Sequence, residues 1–157
     1  MQSLYPCLWF DGQAEEAVQF YASVLRNPKV GSVARYPEGS PGPVGKVMTI
    51  QFEIENQRFL ALNGGPQFHF TEAVSFVIHR ETQSEIDELW EKLGAGGEHG
   101  PCGWLKDRFG LSWQVVPHAL GDMLTDRNAL KSQQVMQALL QMGKIEIARL
   151  RQAFESA

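Results

Sequence analysis

Apolar residues recur along this chain with two different periods, and the changes between them mark out the elements. Residues 4–10 are a short apolar run ended by Asp11-Gly12 and read as a strand. From 13 to 25 the period turns helical. Ala14, Ala17, Val18, Tyr21, Val24 and Leu25 fall on one stripe. Asn27-Pro28 closes that helix, because the residue before a proline is pushed out of the α region. Residues 29–36 read as a second strand. Three prolines and three glycines in 37–45 make a mobile loop. Residues 46–54 alternate with period two, and Glu55-Asn56-Gln57 turns the chain into a further strand over 58–63, stopped by Gly64-Gly65-Pro66.

The second half repeats the pattern. A strand is predicted over 73–79. Thr82 and Glu85 have the spacing of a capping box, in which hydroxyl and carboxylate satisfy free amides at a helix start. Ile86, Leu89, Trp90 and Leu93 then form the helical stripe, ended by the glycines from Gly94 to Gly97. A short strand around 98–100 follows. Strands over 102–107 and 111–116 are joined by a turn at Arg108-Phe109-Gly110. Glu16, Tyr21 and Val24 return as Glu85, Trp90 and Leu93 at one offset, 69 residues (90 − 21). A repeated unit at a fixed spacing means two similar supersecondary modules. The prediction is an α+β protein of two βαβββ modules, residues 1–66 and 67–117, within a single domain 1–157. After Pro117 a helical tail, 118–157, is predicted, with Val135, Met136, Leu139 and Leu140 on one face and a last helix around Ile147, Leu150 and Phe154.

Composition narrows the partners. The chain has 157 residues, 43% of them hydrophobic, and a formal net charge of −4. Mild acidity argues against a nucleic-acid track, which needs clustered Lys and Arg. Cys7 and Cys102 have no paired spacing, so neither a disulfide framework nor a zinc knuckle is suggested. A buried, inert Cys102 is favoured over a reactive one. The start of the chain lacks a basic segment followed by an apolar run, and no stretch approaches a membrane span, so a cytoplasmic location is expected. His69, His79, His99 and His118 show no metal-ligand spacing.

Several longer stretches carry a family resemblance. They are Pro6-Cys7-Leu8-Trp9-Phe10, Ala14-Glu15-Glu16-Ala17, the run from Phe59 to Pro66, Gly103-Trp104-Leu105-Lys106-Asp107 and Ser112-Trp113-Gln114-Val115-Val116-Pro117. With the two modules, they resemble the vicinal oxygen chelate superfamily of glyoxalase I, extradiol dioxygenases and bleomycin-resistance proteins. Within it the chain is similar to the PhnB-like branch, whose members are sometimes labelled 3-demethylubiquinone-9 3-methyltransferase. The tail from Val135 to Phe154 looks similar too, which extends the resemblance over nearly the whole chain. The resemblance implies an open cup-shaped eight-stranded sheet with helices outside, and a homodimer.

The superfamily's metalloenzymes hold a divalent ion with one ligand from each of four strands. Carried over by resemblance, those places fall on Pro6, on Ser75 at the 69-residue offset, on Gln114, and near Ala61 or Asn63. Proline has no side-chain donor, and serine and glutamine are poor donors for Zn²⁺, Ni²⁺ or Fe²⁺. A metal site is therefore not expected, and with it goes the direct case for glyoxalase or dioxygenase chemistry. Methyl transfer is not expected either, since neither glycine-rich segment joins a strand to a helix in a doubly wound sheet.

What remains is a cup dotted with polar groups. By alternation Ser75, Val77 and His79 share a face, as do Ser112, Gln114 and Val116, while Phe76, Ile78, Leu111, Trp113 and Val115 lie under the helices. Trp9, Trp90 and Trp113 are assigned to the core. The candidate ligand-binding residues are Ser75, His79, Gln114, Asn63, Trp104 and Lys106. For Ser75 and Gln114 a structural role is an equal alternative. Trp104 and Lys106 are either a stacking wall with a rim cation or a core tryptophan with a solvated lysine.

The function expected is a metal-independent small-molecule-binding protein of the glyoxalase/bleomycin-resistance type, with 37–45 as a flap over the cup. One alternative is a metal-dependent lyase, isomerase or dioxygenase with a displaced site, its ligands supplied by His79 with Asn63 or with a residue from a partner subunit. The other is a structural or interaction protein whose cup is filled by its own side chains. Whether the chain is an enzyme is left open. The partners expected are a small-molecule ligand and a second copy of the chain, with no nucleic acid, no membrane and no cofactor beyond a possible divalent ion.

Overall fold

A computed structural model describes residues 2–157. The chain divides into two compact units, Met1–Phe70 and Thr71–Ala157, so the helical tail packs with the second module. Among the described residues no helix is long and apolar enough to cross a membrane.

The first unit runs β1 (Cys7–Phe10), α1 (Ala14–Val24), β2 (Lys29–Arg35), β3 (Val47–Ile54) and β4 (Gln57–Asn63). Its four strands lie in the order β1-β4-β3-β2, with β1 and β4 parallel and the others antiparallel. Leu8, Phe10, Ile50, Phe52, Phe59 and Ala61 are buried on one sheet face, where α1 contributes Ala14, Ala17, Val18 and Tyr21. Tyr21 stacks on Phe52, and Phe52 on Phe59. The β3–β4 connection needs only two residues because Glu55 and Asn56 both take positive φ (51° and 63°), the conformation whose twist suits a tight hairpin. The 37–45 loop is tied down at its base. Tyr36 and Lys46 continue the hairpin, the Gly45 amide donates to the Tyr36 carbonyl, and Gly42 lies so close to the Tyr36 ring that a side chain there would collide with it.

The second unit runs β5 (Ser75–Arg80), α2 (Gln83–Gly94), β6 (Glu98–His99), β7 (Trp104–Lys106), β8 (Ser112–Pro117), then α3 (Ala119–Leu124), α4 (Ala129–Leu139) and α5 (Ile147–Glu155). Its sheet order, β5-β8-β7-β6, repeats that of the first unit. The two βαβββ modules are therefore present, each with an open four-stranded sheet. The capping box at Thr82 and Glu85 forms as expected. Ile86, Leu89, Trp90 and Leu93 are buried, and Trp90 stacks on His99 at 4.6 Å. The tail helices build a second core of Leu120, Val135, Leu139, Met142, Ile145 and Leu150 around Val116.

The repeat carries one irregularity. Three residues separate β1 from α1, and two separate β5 from α2. The helices therefore keep the 69-residue offset, whereas the inward strand positions Leu8 and Phe10 match Ile78 and Arg80, an offset of 70 (80 − 10). A one-residue slip reverses every side chain on a strand. Two expectations fall with it. Pro6 shares the parity of Leu8 and Phe10, the α1 side, and is not the counterpart of Ser75. Trp9, assigned above to the core under the helix, pairs with Leu62 on the opposite face, is half-buried, and donates its indole N–H to the Gly65 carbonyl at 2.8 Å.

Candidate functional site

The register of the second sheet decides which side chains share a face. Ser75 lies beside Ser112, Val77 beside Gln114 and His79 beside Val116 across the β5–β8 pair. Across β7–β8, Trp104 lies beside Gln114 and Lys106 beside Ser112. Glu98 on β6 lies beside Lys106. Residues opposite one another in a sheet project to the same side. Ser75, His79, Gln114, Trp104 and Lys106 therefore stand on one face, turned away from α2. The register settles the orientation of Trp104 and Lys106 that spacing left open. The face is open at Val77, which is 50% exposed, whereas Ile78, Trp113 and Val115 on the other side are buried. Val116 departs from the alternation because the tail core covers it.

A cavity of about 390 Å³ opens on this face, within the size range of small-molecule sites. Trp104, Lys106, Ser112, Cys102, Glu72 and Glu98 line it. Lys106 forms an ion pair with Glu72. That hydrogen bond, reinforced by the charge, pulls the Glu72 carboxyl below its ordinary value and pushes the Lys106 ammonium above its own. Ser112, directly across from Lys106, is 1% exposed, and its Oγ has no hydrogen-bond partner among the described residues. Buried hydroxyls are nearly always paired, so this one is unusual.

The remaining candidates go elsewhere. Gln114 donates its side-chain N–H to Ser75 Oγ at 3.0 Å, so these two polar groups satisfy each other beside the cavity. His79 stacks on His118 at 4.7 Å, at the end of β5 away from the cavity wall. Asn63 is a correction. It shares the parity of Phe59 and Ala61 and faces α1, where its Oδ1 accepts the Ala14 N–H at 2.9 Å and its Nδ2 donates to the Val47 carbonyl at 3.1 Å. Because Gln13 supplies no side-chain cap, Asn63 caps α1 from across the sheet. Sequence reasoning did not select Glu72, Glu98 or Ser112. Ser112 had a signal, its shared parity with Gln114. Glu72 had none, being 34 residues from its partner (106 − 72).

The wall beside Trp104 is a tight loop. Gly100 donates to the Trp104 carbonyl at 2.8 Å, and Trp104 donates to the Pro101 carbonyl at 3.0 Å. Cys102 has a left-handed backbone, φ 59°, an uncommon conformation for a residue with a Cβ.

The family model described as 3-demethylubiquinone-9 3-methyltransferase matches residues 2–116. The PhnB protein from Bacillus cereus is 34% identical, with a TM-score of 0.65, and the match covers 74% of this chain and 99% of that one. The chain belongs to this PhnB-like family. Two further solved structures share the fold. Protein PA1353 from Pseudomonas aeruginosa has 21% identity and a TM-score of 0.61 over 74% of this chain and 98% of its own. The fosfomycin resistance protein FosX from Listeria monocytogenes, complexed with Mn(II) and sulfate, has 15% identity and a TM-score of 0.51 over 73% and 90%. Among curated proteins none matches. The fold is thus the glyoxalase-like one. The family model's match ends at residue 116, and the tail lies beyond it.

The metal that the fold family implies does not fit the residues present. Ser75 and Gln114 are neutral and hydrogen-bonded to each other. Ala61 is fully buried under α1, the Asn63 amide is bonded at both ends, and Pro6 has the wrong parity. Among the described residues no three His, Cys, Asp or Glu side chains come together as a metal site. These residues are poor donors for a transition metal.

Proposed function

We propose that this chain is a small-molecule-binding protein of the glyoxalase/bleomycin-resistance type that works without a resident metal ion. The observation that carries the reading is the pairing of Trp104 with Ser112 on one cavity: a flat apolar wall beside a buried hydroxyl without a hydrogen-bond partner among the described residues. A ring bearing an oxygen or nitrogen would stack on the indole, and a shift that uncovers the buried Ser112 hydroxyl would let the two groups hydrogen-bond, which lowers the free energy of both. The Gln114–Ser75 hydrogen bond supports metal independence, because it occupies the two positions that would otherwise offer donors. A sheet face filled by its own side chains would leave no such cavity, which disfavours the structural alternative.

The family's description names methyl transfer. Each sheet here is a mixed four-stranded one, not the doubly wound parallel sheet whose strand–glycine–helix turns hold nucleotide-like donors. The reading therefore stops at binding. It includes a cytoplasmic homodimer, on family resemblance and on Leu130, Met136 and Leu140, which are apolar and exposed at α4.

A thermal-shift panel of monocyclic and bicyclic aromatic compounds, with phenol and 2-naphthol as a reference pair, tests the reading. Compounds that bind the native state raise the melting temperature. The expected result is stabilisation by ring compounds and none by divalent ions, with no stoichiometric metal in the purified protein. A sub-micromolar ion site, or a panel without a single hit, overturns it.

A further inference from the structure

The tail beyond the family match reaches the cavity wall from behind. The Cys102 amide donates to the Met142 carbonyl at 2.8 Å and the Gly103 amide to the Gly143 carbonyl at 2.8 Å. The Cys102 thiol points to the Leu139 carbonyl at 3.5 Å. Gly103 sits at φ 83°, and a Cβ there would lie 2.8 Å from the Ile145 side chain and 2.7 Å from the Val115 carbonyl, so wall and tail meet backbone to side chain. The tail is itself clipped to α2. Gln83 donates to the Ile145 carbonyl at 2.9 Å and accepts the Ile147 amide at 2.8 Å. Lys144 pairs with Asp87 at 2.9 Å. Together with the Gln83 hydrogen bond, this pair holds the Asp87 carboxyl below its ordinary value.

Two features make these contacts more than generic packing. The left-handed backbone of Cys102 is one that a β-carbon disfavours, and such a conformation persists only where its surroundings over-determine it. Here the surroundings are two backbone carbonyls of the tail. The loop so held is also the one whose Pro101 carbonyl accepts the Trp104 amide. Tail, loop and the Trp104 backbone form one hydrogen-bonded series beside the cavity.

We propose that the C-terminal tail is the specificity-determining element of the cavity: through Met142 and Gly143 it sets the 100–103 wall and the position of Trp104, and so the size of ring admitted. The inference rests on the reading that this cavity binds a small molecule. Gln83 is then a positioning residue that touches nothing in the cavity and acts through the tail. The 100–103 wall and Trp104 lie within the family's matched span, whereas the tail that holds the wall lies beyond it.

The test uses the full chain with Cys7→Ser, so that Cys102 is the remaining thiol, with and without Gln83→Ala. Dissociation constants for phenol and 2-naphthol are measured together with the rate of Cys102 alkylation by iodoacetamide. In Gln83→Ala the 2-naphthol-to-phenol affinity ratio is expected to rise at least threefold as the wall relaxes. Cys102 alkylation should accelerate at least fivefold, and the Cys102 and Gly103 amides should exchange hydrogen faster. If Gln83→Ala does not fold, Gln83→Glu serves. It keeps the acceptor for Ile147 and loses the donor to Ile145. Equal weakening of both probes, or unchanged alkylation and exchange, overturns the proposal and leaves the binding reading standing. Failure of the unaltered protein to bind either probe removes the binding reading, and the proposal with it.

Discussion

The indole N–H of Trp113 donates a 2.9 Å hydrogen bond to Oδ2 of Asp107, six residues earlier, and both residues are about 2% exposed. The other oxygen, Oδ1, accepts the backbone amides of Phe109 at 2.8 Å and Leu111 at 3.1 Å. One carboxyl group thus organises the turn that reverses β7 into β8 and anchors the strand that carries Ser112 and Gln114. Gly110, at φ 88°, gives that turn its left-handed step. Asp107→Ala would leave three donors without this acceptor. The expected loss of stability is about 3 kcal/mol, and Asp107→Asn should lose about 1 kcal/mol, both read by urea denaturation.

Asn63 ties the start of α1 to the first sheet and takes no part in the cavity. Asn63→Ala is expected to destabilise the protein by about 1–2 kcal/mol through loss of the cap. The affinity for ring compounds should stay the same. A selective loss of binding at unchanged stability would return Asn63 to the list of binding residues.

Ser112 makes the opposite prediction. Replacing a buried hydroxyl that has no partner among the described residues removes a desolvation penalty, so Ser112→Ala should be neutral or stabilising by up to about 1 kcal/mol. The same change should weaken phenol about tenfold, since one hydrogen bond in a desolvated site is lost. Denaturation and calorimetry of one variant read both quantities.

The Glu72–Lys106 pair sets a pH signature. The Glu72 carboxyl titrates below its ordinary 4.5 in the folded chain, so its contribution is complete above that value and fades as pH falls through the lowered one. Lys106 titrates above its ordinary 10.5, so its contribution is complete below that value and fades as pH rises through the raised one. Both groups are solvent-exposed, so the effect on stability is small and disappears in high salt. In Lys106→Met the Glu72 carboxyl resonance should titrate closer to its ordinary value, with a backbone hydrogen bond holding it part of the way down. An unmoved midpoint would mean the pair does not form in solution.

Much of the architecture was legible along the chain. Period-two and period-3.6 runs gave strands and helices, Thr82 and Glu85 announced a helix start, and the 69-residue echo announced the duplication. The candidate site was legible only in part. Parity placed Ser75, Gln114 and His79 on one face but could not tell which of them border a cavity. Matching Pro6 to Ser75 by a constant offset failed, and the parity of Trp9 with it, because the β5–α2 connection is one residue shorter than the β1–α1 connection, and no hydrophobic pattern marks a deletion in a loop.

Local periodicity is written into neighbouring residues, and so the chain alone determined two βαβββ modules, a helical tail and the inward faces of β5 and β8. Contacts between residues far apart in sequence have no such local trace. Only the tertiary structure decided that Asn63 caps a helix, that Glu72 meets Lys106, that Ser112 lines the same cavity as Trp104, and that the tail grips the loop at Cys102. Each depends on strand register and on which carbonyl lies opposite which amide, and those distances are set when the sheet and helices pack.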